Sequence, residues 1–197
     1  MKKTIFATAT SILLASSTSA LADGWEFSGH FGQTWTSDLT ALGTNQTIAI
    51  DDGNNYGFGI AWNDSPNGMG QVLFNFLSHD YVSGLDQQKH SLDITYGHFN
   101  GVALFRQENY VTTVSLGLGG AMFDTGFNDK VYPSATISIG TRYEFSDKLA
   151  FFTELRSYGS LVDEEDQLFC QGDSCHAEFE DSLWLEANIS VGISYRF

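Results

Sequence analysis

The stretch from Leu183 to Phe197 constrains this chain more than any other. Every second position reads Leu183, Leu185, Ala187, Ile189, Val191, Ile193, Tyr195 and Phe197, and the interleaved register reads Trp184, Glu186, Asn188, Ser190, Gly192, Ser194 and Arg196. Alternation at period two is the pattern of a β-strand with two unlike faces. The run is long for a water-soluble strand, which usually spans about 5–6 residues. It suits a tilted strand crossing a bilayer, which takes about 9–11 residues with some overhang. One register is apolar and uncharged, while the other carries Glu186 and Arg196. The pattern predicts a strand with one face against lipid and the other turned inward.

The N-terminus points to the same environment. Met1-Lys2-Lys3 is a short cationic start, Thr4 to Leu14 is mostly apolar, and Ala20-Leu21-Ala22 offers small residues for cleavage. Residues 1–22 therefore read as a secretory signal peptide, leaving 23–197 as one domain. No later window approaches the roughly 20 apolar residues of a membrane helix. A barrel needs none, because it hides its apolar surface in alternation. The formal charge of −15 argues against nucleic-acid binding, which needs a basic surface.

Carried along the chain, the alternation test predicts an eight-stranded antiparallel up-and-down transmembrane β-barrel. The strands fall at about 25–36, 55–63, 70–79, 90–105, 111–123, 134–145, 149–158 and 183–197. In the fourth, Leu92, Ile94 and Tyr96 are expected outward with Asp93, Thr95 and Gly97 inward, and Asn100-Gly101 is expected to form a bulge. The longer connections, 37–54, 80–89, 124–132 and 159–182, alternate with the shorter 64–69, 106–110 and 146–148. Long extracellular loops and short periplasmic turns sort in this way, with both termini periplasmic. Two aromatic bands are expected at the membrane interfaces. One holds Trp25, Trp62, Tyr143, Phe145, Phe151, Tyr195 and Phe197. The other holds Trp35, Tyr56, Tyr81, Phe123 and Tyr132.

An eight-stranded barrel is only wide enough for side chains to fill it. The inward register carries Glu26, Asp93, Arg142, Glu144, Glu154, Arg156, Glu186 and Arg196. Buried charges persist only when paired, so an interior network is expected, led by Arg196 with Glu26 and extended through Arg142 and Glu144. Connection 159–182 holds Cys170 and Cys175, the only cysteines, which predicts a disulfide in a secreted chain. A zinc site from Cys170, Cys175 and His176 would lack a fourth ligand. The same connection is acidic, with Asp163, Glu164, Glu165, Asp166, Asp173, Glu178, Glu180 and Asp181. It could hold a divalent cation, or stand as a solvated, self-repelling loop. No HExxH motif or P-loop is present, and no cofactor is expected.

The leader, the sorted loops, the glycine-rich strand Leu116-Gly117-Leu118-Gly119-Gly120 and the ending Tyr195-Arg196-Phe197 resemble the small eight-stranded outer-membrane barrels of Gram-negative bacteria. That group includes the OmpA transmembrane domain and the OmpX, OmpW and opacity-type proteins. The resemblance implies the outer membrane as location and its lipid and lipopolysaccharide as surroundings. It also implies Tyr195 and Phe197 as the signal to the barrel-assembly machinery, and a monomer is expected because a closed barrel needs no partner edge. It leaves three roles open: a structural or surface-interaction barrel with acidic loops, a narrow OmpW-like channel for small or apolar solutes, and a lipid A-modifying enzyme. Lipid A deacylase barrels carry His-x-Ser with a glutamate, and His98-Phe99-Asn100 lacks the serine. A non-enzymatic surface role is the expectation.

Overall fold

The computed structural model describes residues 24–41, 46–83, 87–163, 166–172 and 174–197. The expected signal peptide lies outside them. The order is β1 (Trp25–Thr36), β2 (Leu39–Ala41), β3 (Gln46–Ile48), β4 (Gly53–Ser65), β5 (Gly68–Val82), β6 (Lys89–Arg106), β7 (Val111–Asp124), β8 (Asp129–Glu144) and β9 (Leu149–Leu161). A 3₁₀ turn (Gln167–Phe169) and the short strands β10 (Cys170–Gln171), β11 (Ser174–Cys175) and β12 (Glu178–Phe179) precede the closing strand β13 (Leu183–Arg196).

Eight of these strands close a barrel in the order β1-β13-β9-β8-β7-β6-β5-β4, every pair antiparallel. The seam is β1 with β13, in a register that sets Glu26 opposite Arg196 and Phe31 opposite Val191. Closure leaves no strand edge unpaired, the condition for β-structure in lipid, where no water can satisfy an open backbone group. The sorting of side chains is that of a membrane wall. Leu118 is 72% exposed and Ile193 62%, while Asn75, Ser190, Arg156 and Glu186 are buried inside. A water-soluble barrel would show the opposite polarity, so the apolar belt is a lipid-facing surface. No helix among the described residues is long and apolar enough to cross a membrane.

Inward glycines make room for larger polar neighbours. A Cβ at Gly57 would lie 2.6 Å from the His30 ring and 2.3 Å from the Phe74 carbonyl. At Gly192 it would meet the Phe152 ring at 2.4 Å. Any side chain at these positions would displace the ring that now fills the space.

The structure corrects the sequence reading at four points. In β6 the register is reversed from expectation: Leu92, Ile94 and Tyr96 are buried inside and Asp93 is exposed. Pairing across the sheet fixes this, since Gly97 lies opposite outward-facing Phe74. No bulge occurs at Asn100-Gly101, where the ladders to both neighbours run unbroken; the irregular pairing lies at Asn63/Ser65. Trp35 and Tyr56 face outward, but Tyr81, Phe123 and Tyr132 are buried and leave the second aromatic band incomplete. Finally, β7 and β8 extend further than predicted and shrink their connection to residues 125–128, no longer than the turn 107–110.

Candidate functional site

The barrel interior and the folded loops over one end are the places where chemistry could reside. At the end bearing the short turns, the Glu26 carboxylate accepts hydrogen bonds from both terminal nitrogens of Arg142, Nη2 at 2.7 Å, and from Arg196 Nη2 at 3.3 Å. Glu26 and Arg142 are both buried. Glu144 stands at the rim, 3.4 Å from Arg142, 3.9 Å from Arg196 and 3.3 Å from Arg106. These groups bind β1, β6, β8 and β13 together. A paired, bidentate geometry is what makes burial of such charges tolerable.

The middle of the lumen is polar. Arg156 donates to Glu154 at 2.8 Å and to Thr136 at 3.3 Å, and Ser138 donates to the other Glu154 oxygen at 2.9 Å. Asn55 reaches Asn75 and Ser190 at 3.3 and 3.1 Å, with His30 at 3.0 Å from Asn75. A cavity of about 60 Å³ separates this tier from the one below, lined among others by Glu26, Gln71, Arg142, Phe152 and Glu154. It has room for a few waters and no more.

Toward the loop end the expected single charge network gives way to a different set. Glu186 lies with no arginine but with His79, at 3.1 Å, and accepts from the Tyr96 hydroxyl at 2.6 Å. The other His79 ring nitrogen lies 3.0 Å from the Asp51 carbonyl oxygen. Tyr96 stacks on Tyr158 at 4.0 Å with the planes 9° apart. His98, which lacks a serine two positions on, meets one two strands away, past β7: its Nε2 is 3.2 Å from Ser134 Oγ, itself 3.1 Å from Ser160 Oγ. The pair is buried, and His98 Nδ1 has no hydrogen-bond partner, so no carboxylate orients the ring. A hydrolytic triad needs that third group and access for a substrate.

Above this tier the lumen becomes apolar. Leu39, Tyr81, Phe123, Phe169, Phe179 and Trp184 belong to one buried cluster. Rings meet edge to face, Phe169 with Phe179 at 5.2 Å and Phe179 with Trp184 at 5.6 Å. The loops close over it as a three-stranded sheet, β12-β2-β3, and a β10-β11 hairpin bridged by the Cys170–Cys175 disulfide. Thr125 and Asn128 hold this cap down from the short turn 125–128, bonding the carbonyls of Gln167, Leu168 and Cys170 at 2.8–2.9 Å. Asp166 takes hydrogen bonds from Lys130 and Tyr132. Partial burial works to raise its pKa, but these two donors hold it below the ordinary carboxylate range. Among the described residues, no group of three or more His, Cys, Asp or Glu could hold a metal ion; Glu164, Glu165 and Asp173 lie outside them.

Sequence reasoning passed over His79 and placed Tyr96 on the wrong face. His79 was within reach, because it continues the inward series Leu73, Asn75, Leu77. The cap core had a fainter signal, the apolar pair Leu168-Phe169 inside an acidic connection.

No family model matches the sequence, and no curated protein does. Solved structures do match. Neisserial surface protein A superposes with a TM-score of 0.56 at 9% identity, over 88% of this chain and 97% of that one. The fold is that of the small eight-stranded outer-membrane barrels. Ail of Yersinia pestis, solved in complex with a heparin analogue, gives 0.46 at 13% identity over 88% and 99% of the two chains. The N-terminal barrel domain of Pseudomonas aeruginosa OprF gives 0.42 at 16% identity over 87% and 98%.

Proposed function

We propose that this chain is an outer-membrane barrel with a side-chain-filled interior, acting as a structural or surface-interaction protein through its acidic, folded cap. On this reading both termini are periplasmic and the cap faces outward, with the membrane-facing Tyr195 and Phe197 presented to the assembly machinery. The protein is a monomer among outer-membrane lipid and lipopolysaccharide. One observation carries it: the lumen is filled along its length, by the Glu26–Arg142–Arg196 cluster at one end and the apolar cap core at the other. The 60 Å³ cavity between tiers falls far short of a solute pathway. The cap's cations are already engaged, Lys89 with Asp51 and Asp80, and Lys130 with Asp166. Its outer surface therefore suits a cationic partner better than an anionic one.

Planar-bilayer conductance of the folded protein, with folding checked by heat-modifiable gel migration, tests the reading. A folded and electrically silent barrel is expected. Discrete, reproducible conductance steps would replace it with the narrow channel.

A further inference from the structure

The contacts of His79 contain a proton count that the barrel's architecture does not require. Its side chain is fully buried on β5 and faces two acceptors. Nδ1 lies 3.0 Å from the Asp51 backbone oxygen, and Nε2 lies 3.1 Å from Glu186 Oε1. A carbonyl can only accept, and an ionised carboxylate can only accept. A neutral imidazole has a single N–H and can satisfy only one of them. The second Glu186 oxygen already accepts from Tyr96, at 2.6 Å. Both His79 contacts form together only when the His79–Glu186 unit holds one proton more than an imidazole facing a carboxylate. That proton makes the unit neutral overall, the state a dry interior favours.

The Asp51 contact crosses from the barrel wall to a loop. Asp51 lies in the connection between β3 and β4, and its amide donates to the Asp80 carbonyl at 2.9 Å. Ile50 bridges Tyr81 next to it. Gly53 admits the ring, since a Cβ there would stand 2.8 Å from His79 atoms. We propose that His79 is a proton-loaded latch, which pins the β3–β4 connection to the barrel interior through Asp51 and releases it when the proton leaves Glu186 and the ring.

The other titratable groups around the latch come from each packed element. Tyr96 on β6 is bonded to Glu186, and Tyr158 on β9 stacks on Tyr96. His98 lies 5.6 Å from Tyr96, ring to ring, and is engaged with Ser134. His30 on β1 is turned to Asn75, and Arg156 is held by Glu154. Asp52 adjoins Asp51 on the loop, and Lys89 spans Asp51 and Asp80 at the rim. None of them supplies the missing N–H. The sign follows: the latch holds while the unit is protonated and is lost as pH rises.

Amide hydrogen exchange on the folded full chain, corrected for the intrinsic pH dependence of exchange, reads the latch at the Asp51 amide. In the wild type, protection there falls about tenfold over the pH step at which the ¹⁵N resonances of His79 report loss of a ring proton. In Glu186→Gln the introduced amide donates to His79 Nε2 while Nδ1–H stays on Asp51, so protection holds flat over the same range. A flat wild-type profile overturns the proposal, as does a Glu186→Gln profile that keeps the wild-type step. The ¹⁵N spectrum of the ring and the ¹³C shift of the Glu186 carboxyl need no variant: two protonated ring nitrogens, or a protonated Glu186 carboxyl, below the step support the latch. A neutral ring facing an ionised Glu186 there overturns it.

Discussion

The lumen and the cap are two interiors built on opposite principles. Between the strands polar pairs run from Glu26–Arg142 up to Glu186–His79, with a small apolar cluster of Ala61, Met69, Leu104 and Val111 beside the lower ones. Over the loop end they are apolar, with Leu168 and Phe169 fully buried among the rings of Phe123, Phe179 and Trp184. The barrel wall turns most of its large apolar side chains to lipid, so its inward face relies chiefly on hydrogen bonds and charge pairs. The cap has water above it and excludes that water as a soluble core does. The same chain thus carries a membrane part stabilised by specific partners and a soluble part stabilised by packing. Perturbations should separate them.

The largest separation is expected from Phe169→Ala, which removes a fully buried ring from the cap core. Such truncations cost about 3–5 kcal/mol. The loss should fall on the cap alone: protease sites in connection 162–182 open while heat-modifiable migration of the barrel persists. Loss of that migration would show that the two interiors are one cooperative unit. The converse probe is Arg142→Met, which leaves Glu26 buried with only Arg196, 3.3 Å away. Urea unfolding of the barrel should lose about 3 kcal/mol, the lower end for breaking a buried pair, because one partner remains.

Replacing both cysteines by serine should cost the cap roughly 2 kcal/mol in the loop-entropy description, read again by proteolysis. The barrel has no covalent stake in it, so its urea midpoint should not move. Arg196→Leu sits lower still. Its side chain is 25% exposed and gives Glu26 one long hydrogen bond, worth about 1 kcal/mol of barrel stability. A loss as large as that of Arg142→Met would mean that the seam between β1 and β13 is closed by Arg196.

How much of this could be read from the residues differs between the two parts for the same physical reason. The strands announce themselves because lipid imposes a strict period of two, as in Leu183 to Phe197 and in Thr136 to Phe145. Where the inward face is apolar too, the period loses its sign. In β6, Leu92, Ile94 and Tyr96 are apolar because they meet the cap core, while the outward positions hold Asp93, Thr95 and Gly97. Alternation alone assigns the wrong face there, and only pairing with β5 corrects it. Tyr81, Phe123 and Tyr132 mislead likewise, since an aromatic near a strand end suits a membrane interface and a loop core equally. Among the charges expected inward, Asp93 faces outward, and how the rest divide could not be read. Arginines and carboxylates carry no label of height, so Glu186 could not be seen to face a histidine. The cap's small sheet is held by contacts between connections far apart in the chain, which leave no periodic trace.

The smallest effect concerns an ion pair of the cap whose carboxylate is partly buried. Lys130 and Tyr132 hold Asp166 below the ordinary carboxylate range, against the opposing pull of burial. A carboxyl whose pKa is lower folded than unfolded adds stability above its unfolded value, and that stability fades as pH falls through the folded one. Acidification below about pH 4 should therefore loosen the turn Gln167–Phe169 that follows Asp166. The Lys130 side chain is 44% exposed, so solvent screens the pair and the contribution stays under about 1 kcal/mol. Amide exchange at Cys170, whose N–H donates to the Gln167 carbonyl, should show a slight loss of protection on acidification. Asp166→Asn should remove that pH dependence without touching the barrel. An equal acid response in the variant would assign the loosening to other carboxylates of the cap, and leave the pair without a part in holding it.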